Sequence, residues 1–375
     1  MMNIVVDCRV FTKRATGVAT YAIDAIRAIC KYIPEWHITL ISPAPFHKSI
    51  VGLPLDKVEV VIEPMLGSAN IPNVVWFHLY FPKIAKRLNA DMVWTPRPET
   101  PMLSVGKAKR MITVHDVVGK EFVKTMTWKV RLFALPFVDR SIKKADLIWC
   151  NSKYTLGKLQ EYYPNRKQKE TVVGDSCSTR FKKIHLPESE KEEIYKEYGM
   201  EKGFILFVGT LEPRKNLAFL LKMMSEIYLR TGYKLLIVGA NGWKNSNIAE
   251  LVNNPSFDKD SICFAKYVEF EKLLKIYNCA TLYVSTALNE GFGMPQLEAM
   301  ACGCPVVCPH NSAMIEVVEN RGVTIKGWNE TVWTDTIVDL VENPQKLENM
   351  KNPDISEYDW EKIIMRVKQY VETHN

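Results

Sequence analysis

Short runs of β-branched and other apolar residues alternate along this 375-residue chain with longer stretches whose apolar positions recur at helical spacing. In the first half the short runs are Ile4–Asp7, Ile38–Ser42, Met92–Thr95, Met111–His115 and Leu147–Asn151. In the second they are Phe204–Gly209, Leu235–Val238, Ile262–Ala265, Leu282–Ser285 and Val306–Cys308. Apolar runs separated by helical stretches predict parallel sheets with helical crossovers. Between the halves lies the polar, charged stretch Lys182–Gly199 with Pro187, which predicts a linker followed by a helix. The expected architecture is α/β: two Rossmann-like domains facing a cleft, residues 1–185 and 186–375. The terminal helix Trp360–Thr373 is counted with the second domain. Its Ile363, Ile364, Val367, Tyr370 and Val371 repeat at helical spacing, so it packs on something, and it is expected to cross back to the first domain.

Composition narrows the class. With 47% hydrophobic and 24% charged residues the chain reads as an ordinary soluble protein, and no apolar run approaches the roughly 18 residues of a membrane span. Met1–Asp7 reads as a buried strand and not as a signal peptide, so a cytoplasmic location is expected. The nine cysteines are odd in number and lie mostly within apolar stretches, as buried free thiols do; Cys302-Gly-Cys304 with Cys308 lacks the partners and spacing of a zinc site. The net charge of +7 hides an asymmetry. Residues 1–187 carry 29 Lys+Arg against 15 Asp+Glu, or +14, and residues 188–375 carry 20 against 27, or −7. The first half is therefore expected to meet an anionic partner; no nucleic-acid-binding module accompanies the charge.

Candidate chemistry concentrates in the second half. Glu290-Gly-Phe-Gly-Met-Pro-Gln-Leu-Glu298-Ala-Met-Ala-Cys-Gly303 places two carboxylates around a loop that turns into a helix. Gly291 and Gly293 let backbone N–H groups approach a ligand, Pro295 suits a helix start near Met294 to Gln296, and Gly303 suits a left-handed stop. The helix start favours a phosphate or carboxylate, and two carboxylates aimed at one small volume suit vicinal hydroxyls. The strand Phe204–Gly209 runs into Thr210-Leu-Glu-Pro-Arg214-Lys215-Asn216, so Arg214 and Lys215 sit at a strand's carboxyl end, where open α/β sheets bind ligands, and are placed for a diphosphate. In the first half, Arg14-Ala-Thr-Gly17 follows the first strand and opens a helix, and Thr113-Val-His115-Asp116 ends another strand.

These segments resemble the retaining glycosyltransferases of family 4 (group 1), most densely over residues 204–318. The resemblance implies the GT-B fold, a nucleotide sugar held mainly by the second domain, an acceptor held by the first, and no metal or other cofactor. By position, Glu290 would contact the donor sugar and Glu298 the ribose; Arg214 and Lys215 would bind the diphosphate. The backbone of Gly291, Phe292, Gly293 and Met294 would serve sugar and phosphates, Gly17 would approach the diphosphate from the other domain, and His115 would lie beside the transferred sugar. Many relatives carry arginine where this chain has Thr210, glycine at Lys266 and Pro-Ser at Ser285-Thr286. His310 replaces a small residue.

The implied activity is retaining transfer of a hexose, mannose favoured, from a nucleoside-diphosphate sugar to a glycan or polyprenyl-diphosphate-linked glycan in bacterial surface-polysaccharide (lipopolysaccharide) assembly. Retention with no evident nucleophile favours attack from the leaving-group side. A sugar-nucleotide epimerase or a non-catalytic sugar-nucleotide binder is the alternative. No Gly-x-Gly-x-x-Gly or Walker loop follows any strand, which sets dehydrogenases and nucleotide hydrolases aside. Asp258-Lys-Asp260 reads as a solvated loop. Finally, Phe77, Tyr80, Phe81, Ile84 and Leu88 repeat at helical spacing beside Lys83, Lys86 and Arg87, and Trp128–Lys144 adds Lys129, Arg131, Arg140, Lys143 and Lys144. This pattern predicts peripheral attachment to an anionic membrane surface, the inner face of the cytoplasmic membrane.

Overall fold

A computed structural model describes residues 2–64, 73–121, 132, 135–240 and 246–374. The chain divides into two compact units: Met1–Ser178 with Glu357–Asn375, and Thr179–Ser356. The expected boundary at 185/186 therefore moves to 178/179, and the terminal helix belongs to the first unit, not the second.

In the first unit the elements run β1 (Met2–Asp7), α1 (Gly17–Tyr32), β2 (Trp36–Ser42), β3 (Glu59–Ile62), α2 (Asn73–Leu79), α3 (Phe81–Arg87), β4 (Met92–Thr95), β5 (Lys109–Val114), α4 (Val118–Glu121), α5 (Leu135–Lys144), β6 (Leu147–Cys150), α6 (Lys153–Tyr162) and β7 (Val172–Val173). Every strand pair is parallel, in the order β3-β2-β1-β4-β5-β6-β7. Alternate residues of one strand feed different cores, which is why the strands read as continuous apolar runs. Ile4 and Val6 of β1 join Ile26 of α1 and Ile363, Ile364 and Val367 of the terminal helix on one face. Val5 joins Phe77, Phe81 and Ile84 on the other.

That second core corrects the membrane stripe. Phe77, Phe81 and Ile84 are buried against Val5, Ile41 and Val93, so the helical repeat marks core packing. Lys83, Lys86 and Arg87 are its solvated flank, Arg87 being paired with Glu63. Of the second basic segment, residues 128–131 lie outside the described residues.

The second unit runs α7 (Glu188–Tyr198), β8 (Ile205–Val208), α8 (Leu217–Thr231), β9 (Leu235–Val238), α9 (Ser246–Val252), β10 (Ile262–Lys266), α10 (Phe270–Cys279), β11 (Leu282–Val284), α11 (Met294–Ala301), β12 (Val306–Pro309), α12 (Met314–Val318), β13 (Val323–Ile325), α13 (Glu330–Glu342) and α14 (Pro344–Met350). Its sheet is again all parallel, in the order β10-β9-β8-β11-β12-β13. The chain then returns to the first unit as α15 (Trp360–His374), where Trp360 donates its indole N–H to the Cys177 carbonyl at 3.1 Å. No helix among the described residues is long and apolar enough to cross a membrane. Cys302, Cys304 and Cys308 are buried thiols, and burial pushes Cys302 up to about 12.

In each sheet the chain order reverses once, between β1 and β4 and between β8 and β11. Loops leaving the carboxyl ends of the strands on either side of such a point diverge and leave a crevice for a ligand.

Candidate active site

At the reversal in the second sheet, the loop after β8 meets the loop after β11. The Leu288 N–H donates to the Arg214 carbonyl at 2.8 Å, and the Thr286 hydroxyl donates to the Lys215 and Asn216 carbonyls at 3.2 and 3.1 Å. Asn216 adopts φ 51° and lets α8 begin directly behind the cations. Thr286, which departs from the family pattern, is thus a brace between the two loops.

Arg214, Lys215 and Glu290 meet there in one cluster. Arg214 donates through Nη1 to the Glu290 carboxylate at 2.9 Å and to the Asn289 carbonyl at 2.6 Å, and through Nη2 to Glu212 at 2.7 Å. Lys215 Nζ is bonded to the other Glu290 oxygen. Glu290 is only 7% exposed. Burial pushes its carboxyl up, but Lys215 and Arg214 outweigh burial and hold it below the usual carboxylate value. The resemblance implies a sugar contact for Glu290 and a diphosphate contact for Arg214 and Lys215; the structure pairs the carboxylate with both cations. Glu212, two residues before Arg214 in the same turn, is a member that reasoning missed.

The Glu290 loop is held from behind by the segment after β12. Ser312, at φ 49°, accepts the Glu290 N–H at 3.0 Å, and the Ala313 N–H donates to the Glu290 carbonyl at 3.3 Å. His310 acquires a reason here: its ring is bonded to the Thr324 hydroxyl at 3.0 Å, tying β12 to β13. After Glu290 the chain passes Gly291 and Phe292, whose side chain is buried. Gly293 at φ 110° caps α11, which starts at Met294 with Pro295 in its first turn, and Gly303 at φ 76° stops it. A side chain at 293 would be strained in that left-handed conformation and would crowd the buried Gln296 amide.

Glu298 lies in the first turns of α11, half-buried, and accepts the Tyr277 hydroxyl at 2.9 Å. Tyr277 comes from the apolar face of α10; a buried tyrosine needs a partner for its hydroxyl, which was the one sequence clue to it. Thr210 is exposed at the start of the β8 loop. Lys266 stands at φ 53°, where a non-glycine residue costs about 1 kcal/mol, and its carbonyl accepts the Gly239 N–H at 2.7 Å. That conformation explains the glycine expected at 266.

In the first unit Gly17 opens the 16-residue α1 just after β1; it is exposed, with open space where a Cβ would point. His115 follows β5, and its Nε2–H donates to the Pro96 carbonyl at 3.1 Å, because a carbonyl can only accept. Burial lowers its basicity, so the ring is neutral with its lone pair on Nδ1. Its backbone carbonyl accepts Asn151 Nδ2 at 2.7 Å, and Tyr21 packs edge-on to the ring at 4.7 Å.

Comparison with known proteins identifies the family and the fold. Residues 189–354 match the model described as Glycosyl transferases group 1, and residues 15–174 match Glycosyltransferase Family 4. The chain is 30% identical over 191 residues to O-antigen chain mannosyltransferase B of Escherichia coli, covering 50% of this chain and 49% of that protein, so it spans about half the length of that relative. It is 22% identical over 364 residues, 96% of each chain, to O-antigen chain mannosyltransferase RfbU of Salmonella typhimurium. Among solved structures, Anabaena HepE in complex with UDP and glucose superposes with a TM-score of 0.72 at 16% identity over 100% of both chains. WaaG, a glycosyltransferase involved in lipopolysaccharide biosynthesis, gives 0.67 at 14%, over 99% of this chain and 95% of its own.

Proposed function

Because the chain belongs to the glycosyltransferases of group 1 and family 4, with the GT-B fold, we propose that it transfers a hexose, mannose favoured, from a nucleoside-diphosphate sugar to a glycan acceptor with retention. The observation that carries this reading is the meeting of Arg214, Lys215 and Glu290 at the chain reversal of the second sheet, one turn from the start of α11. As the sugar leaves, negative charge develops on the diphosphate, and these cations with the α11 N-terminus stabilise it. Glu290, released from the cations by the incoming phosphates, turns to the sugar hydroxyls, and Glu298, oriented by Tyr277, grips the ribose. The acceptor oxygen attacks C1 on the face the diphosphate leaves; the C1–O bond to phosphate breaks as the new C1–O bond forms, and the acceptor proton passes to the leaving phosphate. The reaction runs without metal.

The mannosyl preference rests on the names of the Escherichia coli and Salmonella typhimurium relatives, and surface-polysaccharide assembly rests on the same names. Incubation with GDP-mannose, UDP-glucose and UDP-galactose and a lipid-linked glycan tests the proposal: a glycosylated product of unchanged anomeric configuration, formed equally with chelator present, is expected. Interconversion of the nucleotide sugars without product would mean an epimerase. Attachment to an anionic bilayer is part of the proposal and rests on exposed Val74, Val75 and Leu79 beside Lys83 and Lys86. Co-sedimentation with phosphatidylglycerol vesicles that fades with salt is the expected result.

A further inference from the structure

The chain enters the second unit through residues 179–184, and this segment is pinned along α10 from its first turn to its last. At the first turn the Arg180 guanidinium lies over the Phe270 ring, 3.6 Å from its centroid, and donates through Nη2 to Glu271 at 2.7 Å. At the last turn the Asn278 side chain grips the segment twice. Its Oδ1 accepts the Ile184 N–H at 2.8 Å, and its Nδ2 donates to the Lys182 carbonyl at 3.1 Å. Between these anchors Phe181 turns inward and is buried. Its ring lies 5.0 Å from that of Phe270 and edge-on to that of Tyr277, at 5.6 Å and 86°.

Tyr277 is the fully buried residue whose hydroxyl donates to Glu298 at 2.9 Å. The phenolic oxygen is fixed to the ring plane, so it moves only when the ring moves. Phe181 meets that ring on one side, and Tyr283 of β11 meets it at 6.2 Å. If the segment only needed an apolar plug under α10, any side chain of that volume would serve. An edge-to-face pair does more, because it favours one tilt of the partner ring, which an aliphatic side chain does not. The contacts therefore run in series from the entering segment through Phe181 and Tyr277 to a half-buried carboxylate at the start of α11.

We infer that Phe181 is a positioning residue for the ribose contact: by holding the Tyr277 ring it sets the aim of Glu298, so the segment that enters the second unit tunes donor affinity. The inference rests on the donor-site reading of Glu298, and the test separates the two. Equilibrium dialysis with GDP, UDP and their 2′-deoxy counterparts reads the ribose contact without any transfer. Phe181→Leu keeps an apolar side chain and loses the ring. Affinity for the preferred ribonucleotide should fall about threefold, as for one lost aromatic pair, and affinity for its deoxy counterpart clearly less. In Tyr277→Phe the hydroxyl is already gone, so adding Phe181→Leu should weaken binding no further. Asn278→Ala loosens the same segment with Phe181 intact and should give the same ribose-specific loss in smaller measure, which keeps the inference testable if Phe181→Leu disturbs folding. Equal weakening of ribo- and deoxynucleotide, a Phe181→Leu loss that persists in full beside Tyr277→Phe, or no ribose-specific loss in either segment variant would overturn the inference. The expected binding pattern in a protein that forms no product from any nucleotide sugar would count against the transferase reading alone, and a wild type that binds no nucleotide would overturn both.

Discussion

The two chain reversals solve the same problem with opposite arrangements. In the first sheet a carboxylate and a guanidinium two residues apart, Asp7 and Arg9, form a sealed inner pair, and Arg9 also holds Glu99 in the loop after β4. In the second, two cations converge on one buried carboxylate, Glu290, and the whole cluster, with Glu212, carries no net charge. The inner pair of the first has no substitute in any substrate, so it is a fixed post. If Arg214 and Lys215 bind a diphosphate as proposed, phosphate competes with the carboxylate of the second for the same two cations, which would make it exchangeable. One topology thus carries a sealed ion pair in one sheet and, on the proposed reading, a replaceable counter-ion in the other.

The largest effect that distinguishes them is expected from Glu290→Gln. Transfer should fall by about 10³-fold, as when a group aimed at the transition state is lost. Two cations would be left without their partner in a mostly buried site, so the ligand-free protein should also lose about 3 kcal/mol of stability. Nucleoside diphosphate should restore that loss, giving a larger rise in Tm than in wild type. An unchanged Tm without ligand would show that the cations do not depend on Glu290, and the exchange idea would fail. Arg214→Ala with Lys215→Ala is next: nucleoside diphosphate should bind about 100-fold more weakly and free nucleoside unchanged, each charge-assisted bond being worth about 1.5 kcal/mol. Equal weakening of both ligands in equilibrium dialysis would mean that the pair serves the fold.

The second cluster was legible in the sequence because its loop breaks local rules: Gly291, Gly293, Pro295 and Gly303 punctuate one continuous segment, and Gly293, Pro295 and Gly303 each bear on a backbone position the structure uses. The first was invisible. Arg9 and Glu99 are ordinary residues 90 positions apart, joined only by the pairing of β1 with β4. The same contrast runs through the fold. Strands in the middle of each sheet were readable from apolar runs, and Met92–Thr95 and Leu235–Val238 coincide with β4 and β9. The strands that escaped are β3, β7 and β13, all at sheet edges. β3 is exposed along most of its length and β7 has two residues, so neither carries the apolar signal of a buried strand. The stripe Phe77-Phe81-Ile84 misled because periodicity reports a buried face without saying what buries it.

A smaller effect sharpens the comparison on the ribose side. Tyr277→Phe removes the hydroxyl that orients Glu298 and nothing else. Nucleotide affinity should drop about fivefold, and the 2′-deoxy nucleotide, which offers Glu298 one hydroxyl fewer, should lose clearly less. If both nucleotides weaken alike in a titration, Tyr277 supports the packing of α10 and not the carboxylate.

The smallest expected effect is a fraction of a proton, and it bears most directly on whether Glu290 is exchangeable. With Lys215 and Arg214 in contact its carboxyl stays below the usual value, so it is ionised at pH 5 in the free protein. The stability it contributes is complete above about pH 4.3, the value of an unfolded glutamate, and is lost as pH falls through the depressed folded value. If esterified phosphates draw the cations away, burial is the cause that remains, and burial raises a carboxyl. Glu290 should then take up part of a proton when the donor binds at pH 5, and none at pH 8. A nucleotide sugar is the right probe because its diester-like phosphates carry no titrating proton in this range, whereas a free diphosphate would release one and mask the uptake. Calorimetry in buffers of different ionisation enthalpy measures the count. Uptake at pH 5 that disappears in Glu290→Gln supports the exchange; no uptake in the wild type would mean that Glu290 keeps its cations in the complex, and the second cluster would then be as fixed as the first.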